Sequence, residues 1–167
     1  MVQPALRCGV LVIAALSLGA SFAHVLEALP RLTVWSPELW RQATVFNGQY
    51  QVFGWLGGPL DIGAILLAGI LAFTLRRERP AFWFALIGAL LFAVSLTMWL
   101  SVVAPANAIL ATWQPGPLPE DFFVIRNRWE FGHIVIASLK LVGFITLVLS
   151  VLQCPQTGES RPDGRIF

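Results

Sequence analysis

Polar side chains thin out four times along the chain, leaving apolar stretches at roughly 8–29, 57–75, 81–103 and 131–152. Each is about 19–23 residues long, enough at a helical rise of about 1.5 Å per residue to cross a hydrocarbon core of roughly 30 Å. The pattern predicts an all-α integral membrane protein. A four-transmembrane-helix bundle occupies residues 1–152, and a flexible polar tail occupies 153–167.

The intervals between these stretches carry their own signals. Ser36-Pro37-Glu38 reads as a helix start: a capping hydroxyl, proline in the first turn and an acid favoured by the helix dipole. With Trp35, Trp40, Val45 and Phe46 it predicts a short amphipathic helix lying on the membrane interface. Asn47-Gly48 marks a turn, after which Gln49–Trp55 leads to Gly57-Gly58-Pro59 at the opening of the second span. Between spans three and four, the prolines at 115, 117 and 119 exclude a regular helix. Glu120-Asp121 then starts a helical run that passes Arg126, Arg128 and Trp129 into the fourth span.

Composition agrees. The chain is 57% hydrophobic and 12% charged, whereas soluble domains carry about a quarter charged residues. The net charge of +2 is small and the basic residues sit at span ends, so the expected partners are the lipid bilayer and a lipophilic small molecule, with no nucleic acid. Arg76, Arg77 and Arg79 crowd one short link, Arg7 precedes the first span, and Arg161 and Arg165 follow the last. The positive-inside rule places these, and both termini, in the cytoplasm of a plasma (bacterial inner) membrane. Arg31, Arg41, Arg126 and Arg128 fall on the external side.

The N-terminus has a competing reading. Arg7, the apolar run and Gly19–Ala23 also fit a signal peptide whose removal would cut just before His24. Cys8 and Cys154 both fall at cytoplasmic ends, where thiols stay reduced.

Candidate chemistry is concentrated in two mirror-image motifs, His24-x-x-Glu27 and Glu130-x-x-His133, at the outer ends of spans one and four. Residues three apart share a helix face, and on antiparallel helices the reversed order brings His to His at depth and Glu to Glu above. Asp61 and Asn107 are expected at a similar level, with Arg126 and Arg128 one turn above Glu130. Lys140 shares the face of His133 roughly 10 Å deeper by the helical rise, and must either face the bundle interior or snorkel out.

Three uses of this cluster compete. Glu-x-x-His motifs build di-iron sites in four-helix bundles, but only Asp61 supplies a further carboxylate; a mononuclear site is the reduced form, with His24, Glu27, Glu130 and His133 as ligands to a single transition metal. A cofactor-free site would use an imidazole as base and a buried arginine for an oxyanion, with Tyr50, Trp55, Trp113 and Trp129 flanking a flat ring. The third use is purely structural pairing.

Ser21–Glu27, Val103-Ala104-Pro105-Ala106-Asn107 and above all Arg126-x-Arg-Trp-Glu-x-x-His133 resemble a widespread family of small four-helix membrane proteins. They are grouped with the anthrone oxygenase-like proteins, many of them known only as a domain of unknown function. The resemblance covers about Ala14 to Leu152. Fungal members of the wider group are linked to the oxidation of anthrones to anthraquinones by oxygen. The resemblance implies a membrane oxidoreductase acting on a phenolic, anthrone-like or quinol-like molecule at the external face. The matching positions are His24, Glu27, Asn107, Arg126, Arg128, Trp129, Glu130 and His133. Together with the residues read above, the catalytic candidates are His24, His133, Glu27, Glu130, Arg126 and Arg128, and the substrate-binding candidates are Asn107, Trp129, Trp113, Tyr50 and Asp61. The alternative is a non-enzymatic accessory or assembly subunit in which the cluster is structural.

Overall fold

A computed structural model describes residues 2–153; the rest of the expected tail, with Cys154, Arg161 and Arg165, lies outside the described residues. Among the described residues the chain is helical, with no strand. Its elements are α1 (Val2–Thr33), α2 (Pro37–Arg41) running into a π-helical turn (Gln42–Phe46), α3 (Gln49–Thr74), α4 (Arg79–Met98), a second π-helical turn (Trp99–Val103), α5 (Ala104–Leu110) and α6 (Phe122–Leu152). Four rods are long and apolar enough to cross a membrane: α1, α3, the continuous α4–π–α5 rod and α6.

The packing follows from a seam that each helix carries. On α1 the buried positions are Val10, Ala14, Ser17, Ser21, His24, Ala28 and Arg31, in alternating steps of four and three. Asp61, Ala64, Ala68 and Leu71 on α3, with Leu75 at its C-cap, repeat the pattern, as do Ala81, Ala85, Gly88, Phe92 and Ser95 on α4. So do Trp129, His133, Ile136, Lys140, Gly143, Leu147 and Ser150 on α6. A mean step of about 3.5 residues keeps one narrow face toward the neighbours, the condition for a left-handed bundle.

The seams are rich in Ala, Gly and Ser, while Leu66, Ile70, Phe73, Leu90, Val94, Val142 and Ile145 face outward. That distribution suits lipid, where close approach rather than hydrophobic burial holds helices together. α4–α5 and α6 touch tightly along their length. A Cβ at Gly88 would stand 2.7 Å from Leu147, one at Gly143 3.1 Å from Phe92, and one at Gly132 2.8 Å from Val103. These pairs run in opposite order on the two rods, so the rods are antiparallel. α1 packs on α3 and α6, and α4 packs on the same two, closing a four-membered ring.

The second π turn repairs a register. After Ser95 the α4 seam resumes at Val103, eight residues on and one more than a heptad, then continues through Ala106 and Leu110. The amide of Ala104 reaches back five residues to the Trp99 carbonyl, which absorbs the extra residue. Pro105 has no N–H to give the Ser101 carbonyl, and Arg128 Nη2 donates to that oxygen instead at 3.3 Å.

Two expectations are refined. The helices extend past the expected span limits at the end of the bundle that carries α2 and α5. The second of them begins at Gln49, entered from Gly48 at φ +69°, with Pro59 inside it. Losing one amide there is tolerated in membrane helices. α2 forms where expected, with Ser36 Oγ accepting from the Leu39 amide at 3.2 Å, but Trp40 and Val45 are buried against the bundle. Arg41 fixes the proline-rich connection over this end, donating to the carbonyls of Gly116 at 2.6 Å and Pro117 at 3.0 Å.

The core is thereby split. One apolar cluster, including Val10, Leu71, Phe92 and Leu147, fills the end near the Arg76–Arg79 turn. An aromatic cluster, including Trp40, Trp113, Phe122 and Trp129, fills the other. Between them lies a buried polar layer.

Candidate functional site

The polar layer is built by the seams of three helices. α1 contributes Ser17, Ser21 and His24, α3 contributes Asp61, and α6 contributes His133 and Lys140. The reversed His-x-x-Glu and Glu-x-x-His motifs do bring the imidazoles together. His24 and His133 stack with ring centroids 4.0 Å apart and planes 22° from parallel. Trp129 closes over both rings edge-on, at 5.3 Å from His24 and 4.3 Å from His133, and Phe53 packs on His24 at 4.4 Å. His24 is 4% exposed, yet its Nδ1 has no protein partner. Buried polar atoms are nearly always paired, and this nitrogen is left unpaired and enclosed by its neighbours.

Deeper in the layer Lys140 faces inward rather than snorkelling. Its Nζ donates to Asp61 Oδ1 at 2.6 Å and to Ser21 Oγ at 2.8 Å, and Ser17 Oγ donates to the same carboxylate oxygen at 2.5 Å. A buried charge needs this much pairing, because desolvation otherwise exceeds the Coulombic gain.

Both arrangements line one cavity of about 40 Å³, which His24, Asp61, His133 and Lys140 share with Asn107 and Tyr50. Tyr50, Gly54, Trp99 and Asn107 also line a wider groove of about 350 Å³ alongside it, between α3 and the α4–α5 rod. Asn107 Oδ1 accepts from Trp129 Nε1 at 2.8 Å. With its oxygen so engaged, its NH₂ is the end left to donate. The cavity wall therefore brings the two imidazole rings beside an amide and an ammonium.

The carboxylates of the two motifs do not join the imidazoles. Glu27 is half exposed and ion-paired with Arg31 one turn on. Glu130 is fully buried, with Oε1 accepting from Trp40 Nε1 at 2.7 Å and Oε2 lacking a protein partner. Among the described residues no three His, Cys, Asp or Glu side chains converge as a ligand set, so the metal arrangement His24, Glu27, Glu130 and His133 is not assembled. Arg126 lies over Phe122 and Phe123, and Arg128 reaches Ser101; neither lines the cavity. Trp113 sits in the aromatic cap against Trp40 and Phe122. Of the substrate-binding candidates, Tyr50, Asp61 and Asn107 line the cavity, and Trp129 roofs the histidines.

Several participants escaped the sequence reading. Arg31 is completely buried, 5.6 Å over Trp129 and 5.9 Å over Trp35; its spacing of four from Glu27 was the available signal. Ser17, Ser21 and His24 stand at i, i+4 and i+7 in an otherwise apolar helix, a polar stripe readable from sequence. Gly54 and Trp99 carried no signal of a shared wall. Comparison with known proteins finds no match for this chain among protein-family models, functionally curated proteins or solved structures.

Proposed function

We propose that the chain is a membrane oxidoreductase of the anthrone oxygenase-like type, acting on a lipophilic phenolic, anthrone-like or quinol-like molecule in the external half of a bacterial inner membrane. The arginines at 7, 76, 77 and 79 support a cytoplasmic position for the opposite end, with both termini inside. The observation that carries the reading is the His24–His133 stack on a cavity adjoining an aromatic-walled groove.

An acidic C–H or O–H presented to this cavity meets an imidazole nitrogen able to take its proton. The resulting oxyanion meets the Asn107 amide and Lys140, donors fixed in a water-poor site, where they act most strongly. An electron-rich anion of this kind reacts with molecular oxygen. For an anthrone the CH₂ carbon becomes a ketone: one oxygen atom of O₂ enters the product and the other leaves as water with the two hydrogens.

Oxygen uptake by detergent-purified protein with anthrone and quinol substrates tests this. His24→Ala and His133→Ala are each expected to abolish uptake while the helical spectrum is kept. Full activity in both would end the proposal.

The accessory-subunit reading draws support from Glu27–Arg31 and Glu130–Trp40, which pair within the protein and leave those two acids structural. It predicts that Glu130→Gln lowers the melting temperature markedly and that no substrate is turned over.

A further inference from the structure

We propose that Arg128 binds the phosphodiester of a phospholipid in the leaflet at the α2 and α5 end of the bundle, with the acyl chains lying along the adjoining apolar faces of α6 and α4. The site is on the outer surface of the bundle and does not depend on the chemistry of the histidines.

The four arginines at this end differ in how far the protein itself satisfies them. Arg31 is buried and paired with Glu27. Arg41 is buried and donates to the Gly116 and Pro117 carbonyls. Arg126 lies over Phe122 and Phe123 and reaches Asn127 Oδ1 through Nε and Nη2. Arg128 is exposed, held by one hydrogen bond of 3.3 Å to the neutral Ser101 carbonyl. Among the described residues it has no acidic partner. Most of the five guanidinium N–H groups are thus left to donate, on a side chain anchored by the carbonyl that Pro105 leaves free.

The surroundings decide what the counter-ion is. Val124, Arg128, Phe131, Ser138, Val142 and Ile145 fall on one exposed stripe of α6, at steps of three, four or seven residues. Arg128 is the one charge on it, and Val124 and Phe131 on either side are 68% and 62% exposed. Leu100 and Val94 are exposed on the neighbouring rod. A surface of this composition faces acyl chains, so the missing negative charge comes from lipid.

Depth points the same way. Arg128 stands just outside the apolar run 131–152, about 4.5 Å beyond it by the helical rise. Headgroups occupy roughly the next 5–7 Å on each side of the hydrocarbon core. A guanidinium there meets phosphodiesters, and its planar fork matches two phosphate oxygens at once. The chains of a lipid so held run on past Phe131 and Leu100. By contrast, the groove of about 270 Å³ whose lining includes Leu18, Phe22, Leu141 and Phe144 carries no charge, so a lipid there is held by its chains alone.

The test counts lipids retained by the full-length protein in dodecyl maltoside, titrated with dioleoylphosphatidylglycerol and read by native mass spectrometry. The wild type is expected to hold one lipid more tightly than the rest. Arg128→Gln should weaken that first step about tenfold, or about 1.4 kcal/mol, the scale of a hydrogen bond to a charged group. Arg126→Gln, the same charge change on another face of α6, should leave it unchanged. Should Arg128→Gln fail to fold, Val124→Glu serves. At an exposed position one turn before Arg128 it supplies a carboxylate in the i, i+4 arrangement, which competes with the phosphate and weakens the first step by a similar factor.

Equal retention by the wild type, Arg128→Gln and Val124→Glu would overturn the inference, as would a loss in Arg126→Gln as large as that in Arg128→Gln. Dioleoylglycerol held as tightly as phosphatidylglycerol would also overturn it, by showing that the chains alone bind. Release of the lipid by millimolar inorganic phosphate would do the same, by marking a site for free anions.

Discussion

Lys140 Nζ lies 2.6 Å from Asp61 Oδ1, with both side chains enclosed between α1, α3 and α6. Neither charge has an alternative partner of opposite sign in that layer, so each depends on the other. Lys140→Met and Asp61→Asn are each expected to destabilise the protein by about 3–5 kcal/mol, because one buried charge is left uncompensated. The double variant should recover most of that loss, since a neutral pair removes the desolvation cost along with the attraction. Unfolding in mixed micelles, measured for all four species, gives the coupling directly. Single variants within about 1 kcal/mol of wild type, the worth of an exposed pair, would show that the pair is open to water.

The cap end offers an independent case. Glu130 is held by a single indole donor across ninety residues of chain. Trp40→Phe keeps the ring against Trp113, Phe122 and Trp129 but deletes the N–H, and is expected to cost about 1–3 kcal/mol. Glu130→Gln should cost less in stability, because an amide oxygen still accepts from Trp40. Melting temperatures of the two variants and their double settle the order. A larger drop in Glu130→Gln than in Trp40→Phe would mean that the carboxylate charge itself locks the bundle.

Close contact between α6 and the second π turn predicts a steric effect. Gly132→Ala places a methyl 2.8 Å from Val103 Cγ2, and Val102 is also within reach at 3.3 Å. Overpacking there is expected to cost about 1–3 kcal/mol, and Val103→Ala in the same chain should restore much of it. Gly69→Ala, where nothing lies within 4 Å, serves as the control and should be neutral or mildly stabilising through helix propensity. If both alanines behave alike, the helices do not pack as tightly here as their seams indicate.

What could be read from the chain divides along physical lines. Lipid forces an apolar run wherever a helix crosses, so the four spans were legible. Helix ends beyond the hydrocarbon obey no such constraint: the run from Asp121 past Trp129 reads as helical and is, whereas Gln49–Leu56 looks polar and broken in sequence while remaining helical. The meeting of His24 with His133 was legible only as a possibility: reversed motifs pair like with like where the two helices are antiparallel neighbours, and which helices are neighbours is not written in the sequence. The destination of Glu27 and Glu130 was not, because their partners Arg31 and Trp40 look from sequence like an external charge and an interface aromatic. Tryptophan at the boundary has the same local pattern whether it faces headgroups or a core. The side of Lys140 was equally open until Asp61 on another helix supplied its counter-ion.

The arginines bring the last contrast. Sequence proximity to Glu130 made Arg126 and Arg128 the natural oxyanion donors, but Arg128 is drawn to the carbonyl that Pro105 leaves unbonded and Arg126 lies over two phenylalanine rings. Asn107 instead lines the cavity, its oxygen tied to Trp129 and its NH₂ left to donate. Asn107→Ala is therefore expected to lower kcat by about 10²–10³-fold, the usual effect of removing one donor from a developing oxyanion. Arg126→Ala and Arg128→Ala should leave kcat within about threefold, since the loss of a group remote from the reacting atoms does not change transition-state binding. Arg128→Ala should still lose about 1 kcal/mol of stability with its hydrogen bond to Ser101. Steady-state oxygen uptake for the three variants decides between them. A collapse in Arg126→Ala with Asn107→Ala unaffected would return the donor role to the arginine and require α6 to rotate when substrate binds.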